Sequence, residues 1–223
     1  MKQNRVHWAI LAVLTIFLIL ILTGRIFNPQ NEPLVFEQSP SSFASKDYAP
    51  PETSIVDEQF NFHFVTPFLW RSAQPSEKSL QRMRDHGLKT LINLKRDETN
   101  HAWERSAAER IGLQYYYFPM DAEGDHDLEQ IAEILRVIKD PANHPVLIHC
   151  HGGKDRTGLI SSIFKIEYTE EDFNDIYKEM LVFGYHQERF PSVLKTIRRW
   201  CEIRHRSEIA NKIAPDGHGL IES

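Results

Sequence analysis

The residues best suited to chemistry lie in one short stretch, His149-Cys150-His151-Gly152-Gly153-Lys154-Asp155-Arg156-Thr157-Gly158. An apolar run precedes it and a helical pattern follows it. A glycine-bearing loop between a strand and a helix N-terminus can turn successive backbone N–H groups inward and bind an anion. Such a loop favours a thiolate, because helix N-termini and nearby cations lower a cysteine pKa from about 8.5 to about 3.5–7.5. Arg156 adds a planar fork that suits two oxygens of a phosphate.

The pattern His149-Cys150-x5-Arg156-Thr157-Gly158 resembles the signature loop of the cysteine-dependent phosphatases of the tyrosine and dual-specificity superfamily. The similarity covers about residues 60–205 and looks closest to compact bacterial and fungal members. It is also carried by Trp70-Arg71-Ser72-Ala73-Gln74-Pro75, by Gly87–Leu94, and by Glu179-Met180 followed by Phe183-Gly184. The domain is too short for the classical tyrosine-specific type, so the smaller dual-specificity type fits better.

This resemblance implies a two-step mechanism. Cys150 attacks phosphorus and forms a cysteinyl-phosphate, while Arg156 and the loop N–H groups hold the phosphoryl oxygens. Thr157 is expected to hydrogen-bond the sulfur and ease its departure, and His149 is expected to orient the loop by hydrogen bonds. The implied phosphate-binding residues are His151, Gly152, Gly153, Lys154, Asp155 and Arg156.

The mechanism also needs a carboxylic acid that protonates the leaving oxygen and then accepts a proton from water. In the family this acid lies on a loop between a strand and the helix that precedes the cysteine strand, which corresponds here to residues 118–127. Asp121, closest to the strand end, is the first choice, and Asp125 is the second. Asp127 is predicted to be the N-cap of the next helix.

Several residues keep a second interpretation. Lys154 is either a surface charge or a contact for a second phosphate, as in loops of phosphatases that act on phosphoinositides. Arg71 either binds substrate or forms a structural ion pair, and Cys201 is predicted to pack in the core rather than to act as a redox partner of Cys150. No metal site is expected, because adjacent residues of a strand point to opposite faces and no second Cys/His cluster has zinc-like spacing. No cofactor is expected either.

The elements that must position these residues follow from the periodicity of residues 60–206. Strands are predicted at 60–65, 69–71, 90–94, 114–118 and 145–149, and helices at 76–86, 99–110, 127–139, 157–168, 170–183 and 191–206. Alternation of this kind predicts an α/β fold: a three-layer, phosphatase-like domain (59–206) whose central, mostly parallel sheet is flanked by helices.

The N-terminal residues differ in character from this domain. Residues 6–23 carry no full charge and would form a helix about 27 Å long, which matches the hydrocarbon core of a bilayer. We therefore predict an N-terminal transmembrane anchor (1–27), a Pro/Ser-rich linker (28–58) and, after the domain, a flexible tail (207–223). A cleaved secretory signal has a similar basic start, but Leu22-Thr23-Gly24-Arg25 lacks a small-x-small cleavage pattern. Basic residues before the span keep the N-terminus cytoplasmic and place the domain outside the cytoplasm.

Composition narrows the function classes further. The 223 residues carry a formal net charge of −5, which argues against a general nucleic-acid binder, and two cysteines exclude a disulfide-rich scaffold. The leading hypothesis is a membrane-anchored tyrosine or dual-specificity protein phosphatase, whose partners are a phosphorylated protein and the membrane. Alternatives are a phospholipid or inositol-phosphate phosphatase, an inactive phosphate-binding module, and a sulfur-transfer enzyme of the rhodanese type, which Thr157-Gly158 disfavours.

Overall fold

A five-stranded mixed sheet forms the centre of the computed structural model, which describes residues 61–96 and 101–221. The strands are β1 (His63–Thr66), β2 (Leu69–Ser72), β3 (Thr90–Lys95), β4 (Gln114–Met120) and β5 (Val146–His149). They lie in the order β1-β2-β5-β3-β4. Only the β1–β2 pair of this sheet is antiparallel; β5 runs parallel to both of its neighbours, and β4 runs parallel to β3. This arrangement agrees with the mostly parallel sheet predicted from the sequence.

Helices follow the strands as the periodicity predicts. They are α1 (Glu77–Asp85), α2 (His101–Arg110), α3 (Leu128–Lys139), α4 (Asp155–Tyr168), α5 (Phe173–Val182), α6 (Ser192–Ile203) and the short α7 (Ser207–Ala210). Side-chain caps fix three of the starts: Ser76 accepts from the N–H of Ser79 ahead of α1, Asp127 from that of Glu129 ahead of α3, and Asp172 from that of Asn174 ahead of α5. The N-cap predicted for Asp127 is therefore present.

The two faces of the sheet are covered by different helices. On one face, Trp70, Leu91 and Leu147 of the sheet pack with apolar residues of α1 and α2. On the other face, α4 contacts β2 and β5, and α3, α5 and α6 surround α4. Because α4 is enclosed by these neighbours, most of its residues are buried. The result is the three-layer arrangement expected from the alternation of strands and helices.

The central position of β5 determines where the site lies. The carboxyl ends of three parallel strands lie side by side, with Ser72 of β2 and Asn93 of β3 flanking His149 of β5. Ligands of parallel α/β sheets bind at the carboxyl ends of the strands. The cysteine loop begins directly after His149 and so lies at this edge.

Two parts of the predicted domain plan need separate comment. The segment after residue 206, predicted to be a flexible tail, packs on the domain instead: it forms α7, buries Ile213 completely, and pairs Ile213 with Leu220 in an isolated bridge. The predicted anchor (1–27) and linker (28–58) lie outside the described residues. Within residues 61–96 and 101–221, no helix is long and apolar enough to cross a membrane.

Candidate active site

The cysteine loop turns sharply between the end of β5 and the start of α4. Gly153 lies in the left-handed region of backbone space, with φ of +66°. A Cβ atom at this position would approach the backbone of Ser72 and Ala73 to about 2.5 Å, well inside van der Waals contact. Glycine is therefore required at position 153, because the loop is pressed against the end of β2.

The carbonyl groups of four successive loop residues are held from outside the loop. The His149 ring Nδ1 donates to the Cys150 carbonyl (3.2 Å), and the backbone N–H of Gln74 donates to the His151 carbonyl (3.1 Å). Asn61 Nδ2 donates to the carbonyls of Gly152 (3.3 Å) and Gly153 (3.2 Å). The Arg71 guanidinium also donates to the Gly153 carbonyl (2.8 Å). Because these carbonyls are engaged on the outside, the N–H groups of the loop are left to its inner side. Within the described part of the chain, the N–H groups of residues 151–156 donate to no protein acceptor. Free N–H groups at a helix N-terminus form an anion site.

Cys150 lines a cavity of about 360 Å³ together with most residues of this loop. Its side chain is nearly buried, with 2% of the residue exposed. The cavity is lined by Ala122, Glu123, Cys150, His151, Gly152, Lys154, Asp155, Arg156, His186, Arg189 and Phe190. Three of these residues are permanent cations and two are acids, so the lining carries a positive excess that favours a phosphorylated ligand.

Arg156, the arginine of the sequence motif, projects from the first turn of α4. One of its guanidinium nitrogens donates to the carbonyl of Met120 (3.3 Å), at the end of β4. Its Nε atom is buried and has no protein partner within the described residues. The guanidinium thus retains donors for phosphate oxygens while it contacts the strand that leads into the predicted acid loop.

Thr157 follows Arg156 and is completely buried. Its hydroxyl oxygen has no hydrogen-bond partner among the described residues. A buried hydroxyl without a partner carries a free-energy cost of about 1–3 kcal/mol. This arrangement leaves the hydroxyl available for the hydrogen bond to sulfur that the sequence predicts.

His149 is supported by a buried carboxylate that sequence reasoning missed. Its Nε2 lies 3.2 Å from an oxygen of Glu104 on α2, and both side chains are fully buried. The second carboxylate oxygen accepts from Asn93 Nδ2 (2.6 Å) and from the Tyr115 hydroxyl (3.2 Å). Burial and the neighbouring Glu104 charge raise the pKa of Tyr115, which keeps this hydroxyl a donor. The four residues fix the ring that precedes Cys150.

Neither of the two predicted acids lines the cavity. Asp121 is paired with Arg96 and accepts from the Glu123 N–H (3.2 Å). The Glu123 N–H bond and the Arg96 charge hold the pKa of Asp121 below its ordinary value. Asp125 is exposed two residues before Asp127. The structure therefore places Asp121 at the end of β4 next to the site, but directs its carboxylate to Arg96 rather than toward Cys150.

The remaining loop residues have distinct surroundings. The Asp155 carboxylate accepts from the backbone N–H of His186 (3.0 Å), so it ties the loop to the segment after α5 rather than facing a phosphate. The Lys154 side chain lies along Gly152 and against Gly184, where a Cβ atom would come within about 3.0 Å of it. Lys154 is also one of the residues that line the cavity.

Cys201 and the histidines give no sign of a second chemical site. Cys201 is a free, fully buried thiol on α6, and burial raises its pKa to about 12. This agrees with the predicted core role. Among the described residues, no group of three His, Cys, Asp or Glu side chains is placed to hold a metal ion.

Comparison with known sequences gives a family match and several relatives. A family model described as DSP-PTPase phosphatase fused to NAD+ Kinase (PTP-NADK) matches residues 52–187. Over 140 residues the chain is 27% identical to the dual specificity protein phosphatase TpbA of Pseudomonas aeruginosa, covering 63% of this chain and 62% of TpbA. Over 112 residues it is 35% identical to the inositol diphosphatase DSP4 of Arabidopsis thaliana, covering 48% of this chain and 56% of DSP4. The chain therefore spans less than two thirds of each relative.

Solved structures of similar proteins share the fold. A crystal structure of P. aeruginosa TpbA superposes with a TM-score of 0.56 at 25% identity, covering 70% of this chain and 94% of that one. TpbA has also been solved in complex with phosphotyrosine (TM-score 0.56, 24% identity, 75% and 99% coverage). The core catalytic domain of the S. cerevisiae PP-IP phosphatase SIW14 matches in fold with a TM-score of 0.55 at 22% identity, covering 67% and 96%.

Proposed function

The chain belongs to the PTP-NADK family of the cysteine-dependent dual-specificity phosphatases, and we propose that it hydrolyses phosphomonoesters through a cysteinyl-phosphate. The observation that carries this proposal is the loop around Cys150. The carbonyls of residues 150–153 are engaged from outside, the N–H groups of residues 151–156 have no acceptor among the described residues, and Arg156 retains a buried donor. These features together bind a dianion at the nucleophile.

In the first step, the Cys150 sulfur attacks phosphorus and the bond from phosphorus to the leaving oxygen breaks. The loop N–H groups and Arg156 hold the remaining phosphoryl oxygens while charge shifts onto them. In the second step, water attacks phosphorus and the P–S bond breaks, which returns the thiolate and releases inorganic phosphate. The unpartnered Thr157 hydroxyl would donate a hydrogen bond to the departing sulfur.

Asp121 is proposed as the acid that protonates the leaving oxygen, with Asp125 as the alternative. For this role Asp121 must release Arg96 and turn toward the cavity, whose lining already includes the next two residues, Ala122 and Glu123. Asp121→Asn should slow the hydrolysis of alkyl phosphates far more than that of nitrophenyl phosphate, since only poor leaving groups need the proton. If Asp125→Asn alone has this effect, the assignment passes to Asp125.

Phosphoprotein is the leading substrate class, supported by the similarity to TpbA, whose solved structure holds phosphotyrosine. The lining of the cavity supports a second candidate, an inositol polyphosphate or a phosphoinositide. Lys154 and Arg189 line the same cavity as Arg156 and would supply further cations for a second phosphate. Similarity to inositol diphosphatase DSP4 favours the same candidate.

A substrate panel with the full chain tests both candidates. It compares phosphotyrosine and phosphoserine peptides, inositol diphosphates and phosphoinositide vesicles. Cys150→Ser should abolish turnover of every active substrate, whereas Cys201→Ala, a matched change at the other cysteine, should retain it. Turnover that survives in Cys150→Ser would remove the proposed nucleophile. For a multiply phosphorylated substrate, Lys154→Ala and Arg189→Ala should each lower kcat/KM more than they lower it for nitrophenyl phosphate.

We also propose that residues 1–27 anchor the enzyme in a membrane with the catalytic domain outside the cytoplasm. The proposal is supported by the uncharged run at 6–23 and by the basic residues that precede it. Protease added to intact cells should digest a C-terminal tag on the full chain. Protection of the tag in intact cells, with digestion only after lysis, would refute this orientation.

A further inference from the structure

Arg71 is a buried cation beneath the cysteine loop. It lies in β2, the strand next to β5, and only 1% of its surface is exposed. One guanidinium nitrogen donates to the carbonyl of Gly153 (2.8 Å) and the other to the hydroxyl of Ser161 (2.9 Å). Arg71 therefore joins the middle of the loop to the second turn of α4.

No carboxylate neutralises this guanidinium by direct contact. Among the residues that the structure describes, none of the ion pairs includes Arg71. Glu179 is the acid whose charge acts on it, yet the Glu179 carboxylate contacts Lys165 at 2.6 Å. The Phe183 ring, 4.7 Å from the guanidinium carbon, supplies a weaker attraction. A buried charge without a close partner is costly, so its retention needs a compensating anion.

Arg71 binds the loop that carries Cys150, so its buried charge belongs to the same loop as the nucleophile. Burial lowers the pKa of Arg71 to about 10, whereas the charges of Glu179 and Cys150 act in the opposite direction. At neutral pH the guanidinium is therefore still protonated. Its field acts on the same loop whose N–H groups bind the phosphate.

We propose that Arg71 is a positioning residue of the phosphatase: it fixes the Gly153 carbonyl outward and stabilises the Cys150 thiolate by its buried charge. The residue is not part of the cavity lining, and its guanidinium binds the outer carbonyl of Gly153. It is accordingly neither a substrate contact nor a member of a salt bridge, the two roles its sequence position suggested.

The proposal rests on the proposed function, but its test does not need turnover. The rate at which iodoacetamide alkylates Cys150 in the full chain is measured against pH, because only the thiolate reacts. Cys201 is fully buried, and Cys201→Ala serves as the common background. A chain without phosphatase activity that still shows the expected alkylation profiles would refute the function and keep the role of Arg71.

Three variants separate charge from hydrogen bonding. Arg71→Met removes the charge at similar side-chain length, and it should move the alkylation profile to higher pH by about one unit, a tenfold loss of thiolate below the midpoint. Arg71→Lys keeps the charge but loses the fork, so the profile should stay in place while inhibition by vanadate weakens. Ser161→Ala removes one partner of Arg71 without altering the charge and should leave the profile unchanged.

The outcomes decide the proposal in each case. An Arg71→Met profile equal to that of the parent, in a variant with native circular dichroism, overturns the charge role. If Arg71→Met does not fold, Arg71→Lys carries the test, since a one-unit shift in the lysine variant would show that charge is not what matters. Unaltered vanadate inhibition in Arg71→Lys would overturn the role of the fork.

Discussion

Truncating Glu104 should destabilise the protein more than any surface change on the same helix. The carboxylate is fully buried, accepts from Asn93 Nδ2 (2.6 Å) and from the Tyr115 hydroxyl (3.2 Å), and lies 3.2 Å from the His149 ring. In Glu104→Ala, Asn93 keeps the Tyr115 oxygen as an acceptor (3.1 Å), whereas the Tyr115 hydroxyl loses its acceptor and the His149 ring loses the charged group beside it. One buried donor left unsatisfied costs about 1–3 kcal/mol, and breaking a buried charged contact costs about 3–5 kcal/mol. We expect Glu104→Ala to lower the free energy of unfolding by about 3–5 kcal/mol.

Two further variants calibrate this expectation. Glu104→Gln keeps a carbonyl oxygen for Asn93 and Tyr115, and its amide N–H can donate to His149 Nε2, since Nδ1 already donates to the Cys150 carbonyl. Glu104→Gln should therefore lower the free energy of unfolding by only about 1–2 kcal/mol. Glu109→Ala makes the same deletion at an exposed position of α2 and should change stability by less than about 0.5 kcal/mol.

Urea unfolding of the full chain, followed by far-UV circular dichroism and extrapolated linearly, gives the three free energies. The m-values of the variants should match that of the parent, which shows that the same surface is exposed on unfolding. If Glu104→Ala lies within about 1 kcal/mol of Glu109→Ala, the buried carboxylate does not organise these donors and the reasoning fails.

Three other predictions follow from the same site. Gly153→Ala should abolish the binding of inorganic phosphate measured by calorimetry, because the added Cβ meets the backbone at the end of β2 at about 2.5 Å. Gly124→Ala, whose Cβ would have ordinary 3.5 Å contacts, should retain phosphate binding. Equal binding by the two variants would refute the close approach at Gly153. Arg96→Gln removes a charge that stabilises ionised Asp121, so it should raise the pKa of Asp121 in the free enzyme and move the high-pH limb of kcat/KM to higher pH; an unmoved limb would count against Asp121 as the acid. Burial lowers the pKa of His126 to about 4 in the folded protein. As the pH falls from about 6.5 to about 4, the imidazole is protonated in the unfolded chain but not in the folded one, so the free energy of unfolding falls by up to about 3 kcal/mol. His126→Phe should flatten that loss in urea titrations at pH 7 and pH 5, and an equally steep loss would contradict it.

Periodicity was enough to predict the sheet and its helices, because their apolar faces follow one pattern along the chain. The strand at 145–149 and the helix at 127–139 were expected from short apolar runs and appear as β5 and α3 with ends within two residues. Periodicity did not predict the structure of the segment after residue 206. Its glycines and proline suggested a loose tail, whereas single residues such as Ile213 anchor it to the domain.

The supports of the cysteine loop could not be found from local patterns. Asn61 donates to the carbonyls of Gly152 and Gly153 from about 90 positions away, and no spacing rule connects them. Glu104 offered one signal: it lies three and four positions before Ala107 and Ala108, on the buried face of α2. An acid on an apolar helix face indicates a buried partner. The pattern does not say which partner, since that depends on the packing of α2 against the sheet.

The distribution of charge around the cavity explains how a chain with a net charge of −5 can have an anion-binding site. Both acids on the cavity wall are engaged with groups of the protein: Asp155 binds the His186 N–H at 3.0 Å, and Glu123 lies 3.8 Å from Arg189. The cations Lys154 and Arg156 have no acid in contact among the described residues, and Arg71 adds a buried charge from below. A bound phosphate therefore interacts mainly with the local excess of positive charge. Salt screens exposed charges that are more than about 10 Å away, whereas it screens charges at a partly buried loop much less. The acidic surface elsewhere affects solubility and has little influence on binding at Cys150.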